Sequence, residues 1–191
     1  MEPADIDHFY FDGDHYDART RIADIPFWVD QARRYGGPIL ELAVGTGRIA
    51  IPLAEAGFAV TGIDMSDSML GRAQQKCGEA SVTVDLIKAD IRDFQLNRQY
   101  PLILIPANTI VHLKEIDELE ACLTSIKAHL EPEGRLIIDT HYPNLRYLHT
   151  KWSEPSTSEY LSPSGDEPVR VTSRTAPLKA RRFYAANCDG L

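Results

Sequence analysis

The sequence lacks three features, each of which would indicate a particular class of protein. It has only three cysteines, Cys77, Cys122 and Cys188, with no C-x-x-C pair, so neither a disulfide framework nor a cysteine metal site is expected. Basic residues number 20 against 28 acidic ones, which leaves no basic surface for a nucleic-acid backbone. No apolar run approaches the roughly 18 residues of a membrane span, and no signal-peptide pattern follows Met1. The expectation is a cytoplasmic protein with no metal and no nucleic-acid or membrane partner.

What is present is an ordinary globular composition and a regular alternation of two patterns. Five apolar runs predict strands, at 39–43, 58–64, 82–88, 102–105 and 135–139. Helical patterns predict helices, at 19–35, 48–56, 67–77 and 116–130. Strands that are apolar on both faces and alternate with helices are typical of a parallel sheet covered on both sides. The predicted fold class is therefore α/β, a Rossmann-like open parallel sheet.

A glycine motif directly follows the first predicted strand and opens the next helix. Gly45, Gly47 and Ala50 satisfy the spacing G-x-G-x-x-G/A, and Asp64 lies about 20 residues further on, where a ribose-binding acid is expected. Glycine has no Cβ, so a ligand can approach the backbone closely here. Taken alone, the motif fits a nicotinamide dinucleotide, S-adenosylmethionine (SAM) or an ordinary strand-to-helix turn.

The carboxylates near this motif favour a cationic nucleoside ligand. Glu41 lies inside the first predicted strand, and a buried carboxylate is costly unless it has a partner. SAM would provide one, because it carries an ammonium group and a sulfonium. Asp64 either accepts from ribose hydroxyls or caps the following helix. Asp90, after the third strand, either accepts from an adenine amino group or belongs to a surface turn.

Four segments, at 41–47, 62–70, 89–94 and 131–139, resemble the successive motifs of class I SAM-dependent methyltransferases. The resemblance implies SAM as cofactor and S-adenosylhomocysteine (SAH) as product. It places Glu41 near the amino end, the glycines under the methionyl part and Asp64 on the ribose. It departs at Ala43, where the family often has glycine. The implied cofactor-binding residues are Glu41, Ala43, Gly45, Gly47, Asp64, Met65, Asp90, Ile91, Pro106 and Ala107.

The segment 105–113 resembles the corresponding segment of small-molecule N-methyltransferases of the glycine and deoxyamino-sugar types. This likeness implies that Asn108 and His112 face the methyl acceptor, although His112 also fits a packing role. Tyr16 is placed over the SAM carboxylate or the acceptor, so His112 and Tyr16 are the catalytic candidates. The implied reaction is methyl transfer to a nitrogen or oxygen of a small molecule. The alternatives are a SAM- or SAH-binding protein without turnover and an NAD-dependent dehydrogenase.

The chain is expected to have three parts: an aromatic and helical cap at 1–37, a SAM-binding core at 38–145, and a partial lid or edge segment at 146–191. The segment 153–168 is rich in Ser, Pro, Glu and Thr and predicts a loop, and 169–175 predicts one exposed strand. The C-terminal edge of the sheet is therefore expected to be incomplete. Because an uncovered strand edge favours association, a homodimer or an unstable monomer is expected.

Overall fold

The computed structural model describes residues 16–17 and 23–140, together with the backbone of two strands at 156–161 and 168–173. The chain divides into two compact units, Met1–His141 and Tyr142–Leu191. The three-part organisation expected from the sequence stays a prediction.

The first unit contains a parallel sheet of five strands: β1 Ile39–Leu42, β2 Val60–Asp64, β3 Asp85–Lys88, β4 Tyr100–Ile105 and β5 Leu130–Ile138. Their order in the sheet is β3-β2-β1-β4-β5. The helices within the described range 23–140 are α1 Ile25–Tyr35, α2 Ala50–Glu55, α3 Asp67–Ala80 and α4 Ile116–His129, with a 3₁₀ turn at Thr109–His112. The predicted Rossmann-like α/β fold is confirmed. The strand order reverses at β1, so the carboxyl ends of β1 and β4 border the crevice where such sheets bind ligands.

Helices cover both faces of this sheet, as the apolar strands require. Leu102 of β4 packs in a cluster with Trp28 of α1, and the next residue, Ile103, packs in a second cluster with Cys122 of α4. Successive side chains of a strand point to opposite faces, so one strand contributes to both clusters. The two clusters hold the strand ends in fixed positions, which gives the loops after them a rigid base.

Helix α3 confirms one predicted boundary and corrects another. The predicted N-cap Ser66 accepts a hydrogen bond at its Oγ from the backbone N–H of Met69 at 3.3 Å. The prediction that the helix ends near Cys77, with Gly78 as its stop, is wrong. The helix continues to Ala80, which packs against the core, and Ser81 takes the left-handed conformation at φ 56°. Packing of this last turn outweighs the weak helix propensity of Gly78.

The described part of the second unit contains two strands where the sequence predicted one. β6 Ser156–Leu161 and β7 Pro168–Ser173 pair antiparallel, with Ser156 opposite Ser173 and Leu161 opposite Pro168. The prediction of a loop throughout 153–168 is therefore wrong for β6. Its Ser- and Thr-rich sequence lacks the apolar alternation that predicts a strand, but β7 satisfies its backbone hydrogen-bonding groups.

The described ranges were expected to contain neither a membrane span nor a metal site. No helix within them combines the length and the apolar character that crossing a membrane requires. The same ranges hold no cluster of three or more His, Cys, Asp or Glu side chains arranged to bind a metal ion. The cytoplasmic location and the homodimer stay predictions.

Candidate functional site

A cavity of about 180 Å³ opens at the carboxyl ends of β1, β2 and β4. This is the edge where parallel α/β sheets bind their ligands. Its lining comes from these strand ends, the segments after them and one residue near the N-terminus: Tyr16, Glu41, Ala43, Val44, Gly45, Arg48, Ile49, Asp64, Met65, Ser66, Met69, Pro106, Ala107, Thr109 and His112. Residues that are far apart in sequence thus meet at one edge of the sheet.

The loop after β1 owes its shape to residues in the left-handed region. Gly45 and Gly47 have φ 55° and 78°. A Cβ on Gly47 would lie 2.9 Å from the side chain of Ile51, whereas nothing lies within 4 Å of a Cβ placed on Gly45. Gly47 therefore permits close packing of the loop against α2, and Gly45 keeps the cavity side open. Ala43 takes φ 55° as well, although it carries a Cβ.

Asp64 joins the ends of β1 and β2 through its buried carboxylate. One oxygen accepts from the backbone N–H of Gly45 at 2.9 Å, and the other accepts from the N–H of Ser66 at 2.9 Å. Burial raises the pKa of Asp64, and these backbone hydrogen bonds partly offset that effect. The backbone N–H of Met65 also contributes a hydrogen bond to this carboxylate. A carboxylate has about four acceptor sites, so three backbone donors leave capacity for a further donor.

Glu41 places a second carboxylate in the lining, from the middle of β1. The residue is 2% exposed and accepts a hydrogen bond from the backbone N–H of Ala50. In the described part of the chain, Oε2 of Glu41 is the buried side-chain oxygen that has no hydrogen-bond partner. Burial raises the pKa of Glu41 to about 8, and the positive charge of Arg48 opposes this shift. The position therefore favours a proton or a cationic ligand.

Arg48 is a lining residue that the sequence reasoning missed. Its guanidinium donates to both carboxylate oxygens of Asp24, at 2.5 and 3.1 Å, and Asp24 also accepts from the indole N–H of Trp28 at 3.0 Å. The signal that would have identified Arg48 is its position directly after Gly47 in the motif. The other lining residues that were missed are Val44, Ile49, Ser66, Met69 and Thr109.

Most of the predicted site residues line this cavity: Tyr16, Glu41, Ala43, Gly45, Asp64, Met65, Pro106, Ala107 and His112. Gly47, Asp90 and Ile91 lie outside its lining. The carboxylate of Asp90 accepts from Arg92, at 2.6 Å from the guanidinium and 2.9 Å from the backbone N–H. Hydrogen bonding to the Arg92 side chain lowers the pKa of Asp90. Ile91 packs against the cluster beneath α4.

The wall after β4 contains two consecutive non-glycine residues with positive φ, Ala107 at 58° and Asn108 at 61°. Asn108 donates its N–H to the carbonyl of Asp139 at 3.2 Å, and its Oδ1 accepts from the hydroxyl of Thr140 at 3.0 Å. These bonds tie the loop to the end of β5. They support the turn that brings His112 to the cavity, while Asn108, expected at the acceptor, lies outside the lining.

Comparisons with known proteins identify the family. The family model described as "Methyltransferase domain" matches residues 39–134. The chain is 37% identical over 115 residues to the putative methyltransferase YqeM of Bacillus subtilis strain 168, covering 60% of this chain and 46% of that protein. It is 26% identical over 139 residues to a dTDP-3-amino-3,4,6-trideoxy-alpha-D-glucopyranose N,N-dimethyltransferase of Streptomyces venezuelae, covering 73% of this chain and 57% of that protein.

A solved structure shows the same architecture. The glycopeptide N-methyltransferase MtfA, crystallised with SAM, superposes with a TM-score of 0.56 at 26% identity, covering 91% of this chain and 72% of that one. The chain spans about half the length of the curated relatives it matches. The matched segment runs from β1 into β5 and includes the loops after β1, β2 and β4. The chain belongs to the methyltransferase-domain family.

Proposed function

We propose that the chain binds SAM in this cavity and transfers its methyl group to a nitrogen or oxygen of a small-molecule acceptor. The observation that carries the proposal is the unpartnered Oε2 of Glu41, a buried acceptor in the cavity lining. Buried polar atoms are almost always hydrogen-bonded, so a donor from a bound ligand would satisfy this atom. The ammonium group of SAM is a donor with the right charge.

The rest of the lining fits the nucleoside part of SAM. Asp64 lines the cavity and its carboxylate retains acceptor capacity beyond its backbone donors, which suits a ribose hydroxyl. Met65 lines the cavity while 59% exposed, and its flexible thioether suits contact with the flat face of adenine. The pyrophosphate of a nicotinamide dinucleotide would instead bring anionic charge to a loop flanked by Glu41 and Asp64. The donor and acceptor set thus favours SAM over NAD.

Bound SAM would supply a methyl group already activated for transfer by the sulfonium. The protein's contribution is then to hold the acceptor in line and to exclude water. The apolar lining residues Val44, Pro106 and Ala107 serve the second purpose. His112, from the turn after β4, is the candidate to accept a proton if the acceptor must release one. Tyr16 is the candidate to contact the cofactor carboxylate or the acceptor.

Two relatives that methylate nitrogen support an amine as the first class of acceptor to test. One is an N,N-dimethyltransferase of an amino sugar, and MtfA is a glycopeptide N-methyltransferase. The first matches over 139 residues at 26% identity, and the second shares the fold with a TM-score of 0.56. A methylated amine, as an ammonium group, releases a proton more readily than an alcohol hydroxyl does before methylation. An amine acceptor would therefore depend less on His112 as a general base.

Isothermal titration with SAM, SAH and NAD tests the proposal, followed by mass spectrometry of methyl transfer to a panel of small amines and phenols. We expect dissociation constants on the order of micromolar for SAM and SAH, no NAD binding, and a methylated product. Binding of NAD alone would support the dehydrogenase and overturn the proposal. Binding of SAM with no product over the whole panel would support a SAM-binding protein without turnover.

A further inference from the structure

The carboxylate of Asp17 receives three side-chain donors from parts of the molecule that border the cavity. It accepts from the hydroxyl of Thr46 at 2.6 Å, from Nε of Arg72 at 3.0 Å and from Nζ of Lys76 at 2.9 Å. We call these four residues the Asp17 cluster. The side chains of Asp17, Arg72 and Lys76 are only 18%, 25% and 24% exposed, so water and salt screen the cluster less than a surface ion pair.

The three donors come from two elements that shape the site. Thr46 is fully buried and lies between Gly45 and Gly47 in the loop after β1. Arg72 and Lys76 are one turn apart on α3, so they present their charges on the same side of that helix. One carboxylate therefore connects the glycine loop with the helix that follows Asp64. Hydrogen bonds between charged groups are about twice as strong as neutral ones, which makes this a firm connection.

The residue before Asp17 is Tyr16, which lines the cavity and has helical backbone geometry, as Asp17 has. Fixing the Asp17 carboxylate therefore fixes the backbone that carries the Tyr16 ring. Asp17 is absent from the cavity lining. Any effect of Asp17 on a ligand in the cavity is therefore indirect, and the shortest covalent route to the lining is through the adjacent residue Tyr16.

We infer that Asp17 is a positioning residue: it holds Tyr16 at the cavity wall, and through Tyr16 it raises the affinity for SAM without contacting SAM. The inference rests on the proposed function, because it assumes that SAM occupies the cavity. A purely structural anchor would change the unfolding free energy when substituted and leave the affinity for SAM unchanged. A positioning residue changes the affinity for SAM as well.

The test compares SAM titrations of wild type, Asp17→Asn, Tyr16→Ala and the double variant well below their melting temperatures. Asp17→Asn keeps the shape of the side chain and removes its charge. We expect it to weaken SAM binding about tenfold in the wild-type background, and by less than about twofold when Tyr16 is already Ala. This non-additivity is the signature of an effect that passes through Tyr16.

Asp30→Asn is the matched control. Asp30 pairs with Arg33 at 3.2 Å on α1, and these side chains are 69% and 67% exposed, so the same chemical change is expected to leave SAM affinity unchanged.

The outcomes separate the inference from the proposed function. If wild-type protein binds no SAM, the proposed function fails and the inference fails with it. If wild type binds SAM and Asp17→Asn binds it equally well, or if the two substitutions are additive, the inference alone is overturned. If Asp17→Asn does not fold, Lys76→Gln serves in the same cycle with Tyr16→Ala. Lys88→Gln is then the control, because Lys88 forms an exposed pair with Asp67.

Discussion

The backbone N–H of Gly45 donates to the side chain of Asp64 at 2.9 Å, which joins the loop after β1 to the end of β2. The other Asp64 oxygen accepts from Ser66, so the same carboxylate also organises the start of α3. Asp64 thus has a structural role in addition to the ligand-binding role proposed for it, and experiments must separate the two.

Asp64→Ala tests both roles at once. We expect the free energy of unfolding to fall by about 1–3 kcal/mol, because the buried N–H groups of Gly45 and Ser66 lose their acceptor. We expect SAM affinity to fall about 100-fold, because the ribose loses its partner. Urea unfolding and titration calorimetry measure the two effects. Asp67→Ala, at an exposed position on the same segment, is the control, and unchanged SAM affinity in Asp64→Ala would show that the site is wrongly assigned.

Glu41 should make stability depend on pH. Its pKa is about 8 in the folded protein against an ordinary value of 4.5. Between these values the folded state keeps a proton that the unfolded state has lost, so the free energy of unfolding falls as pH rises from about 4.5 to about 8. Glu41→Gln removes this contribution. In urea unfolding, the unfolding free energy of the variant relative to that of wild type should therefore increase from pH 5 to pH 8. Parallel pH profiles would contradict the buried state of this carboxyl.

Binding of SAM near pH 7 should release a proton from Glu41. The free protein holds Glu41 protonated at this pH, whereas the ammonium group of the ligand favours the carboxylate. Titration calorimetry in buffers of different ionisation enthalpy measures the number of protons released. We expect a value approaching one proton for wild type and a clearly smaller one for Glu41→Gln. Equal proton release by the two proteins would place the ammonium group elsewhere.

Ala43→Gly should stabilise the protein. Ala43 has φ 55°, a conformation that costs an L-residue about 1–2 kcal/mol, while glycine loses somewhat more entropy on folding. The expected gain in unfolding free energy is about 0.5–1 kcal/mol, measured by urea or thermal unfolding. Ala121→Gly, inside α4, should instead destabilise by about 1 kcal/mol. A loss of stability in Ala43→Gly would mean that the Cβ makes contacts worth more than the strain.

Asp90→Asn tests whether this residue recognises adenine or only binds Arg92. We expect SAM affinity to fall about tenfold, and affinity for the analogue with hypoxanthine in place of adenine to change much less, because that analogue lacks the amino donor. Competition titrations measure both. Asp93→Asn, at an exposed position three residues away, is the control. Equal effects on the two ligands would assign Asp90 to the ion pair with Arg92 alone.

Much of the fold and the core of the site could be predicted because they depend on local patterns. Buried strands are short apolar runs, and a parallel sheet brings the carboxyl ends of its strands to one edge. Glu41, Asp64 and Ala107 therefore meet at the cavity although they are far apart in sequence. Glu41 inside β1 and Asp64 at the end of β2 are both recognisable in the sequence as acidic exceptions to an apolar run.

The features that could not be predicted depend on long-range polar contacts or on weakly patterned strands. Nothing in the spacing of Asp17 and Arg72 indicates that they pair, because ion pairs between distant segments leave no periodicity. The same holds for Asp24 and Arg48. Strand β6 has a composition that ordinarily indicates a loop, so only its pairing with β7 defines it.

Three hydrogen bonds around Asn108 connect the cavity wall after β4 to the end of β5. Asn108 donates to the carbonyl of Asp139, Asp139 donates to the carbonyl of Ile105, and the hydroxyl of Thr140 donates to the side chain of Asn108. The loop after β4 and the end of β5 are therefore fastened to each other by these three hydrogen bonds. A displacement of the end of β5 would strain the same bonds that support the segment carrying Ala107 and His112, so the shape of this cavity wall depends on the position of β5.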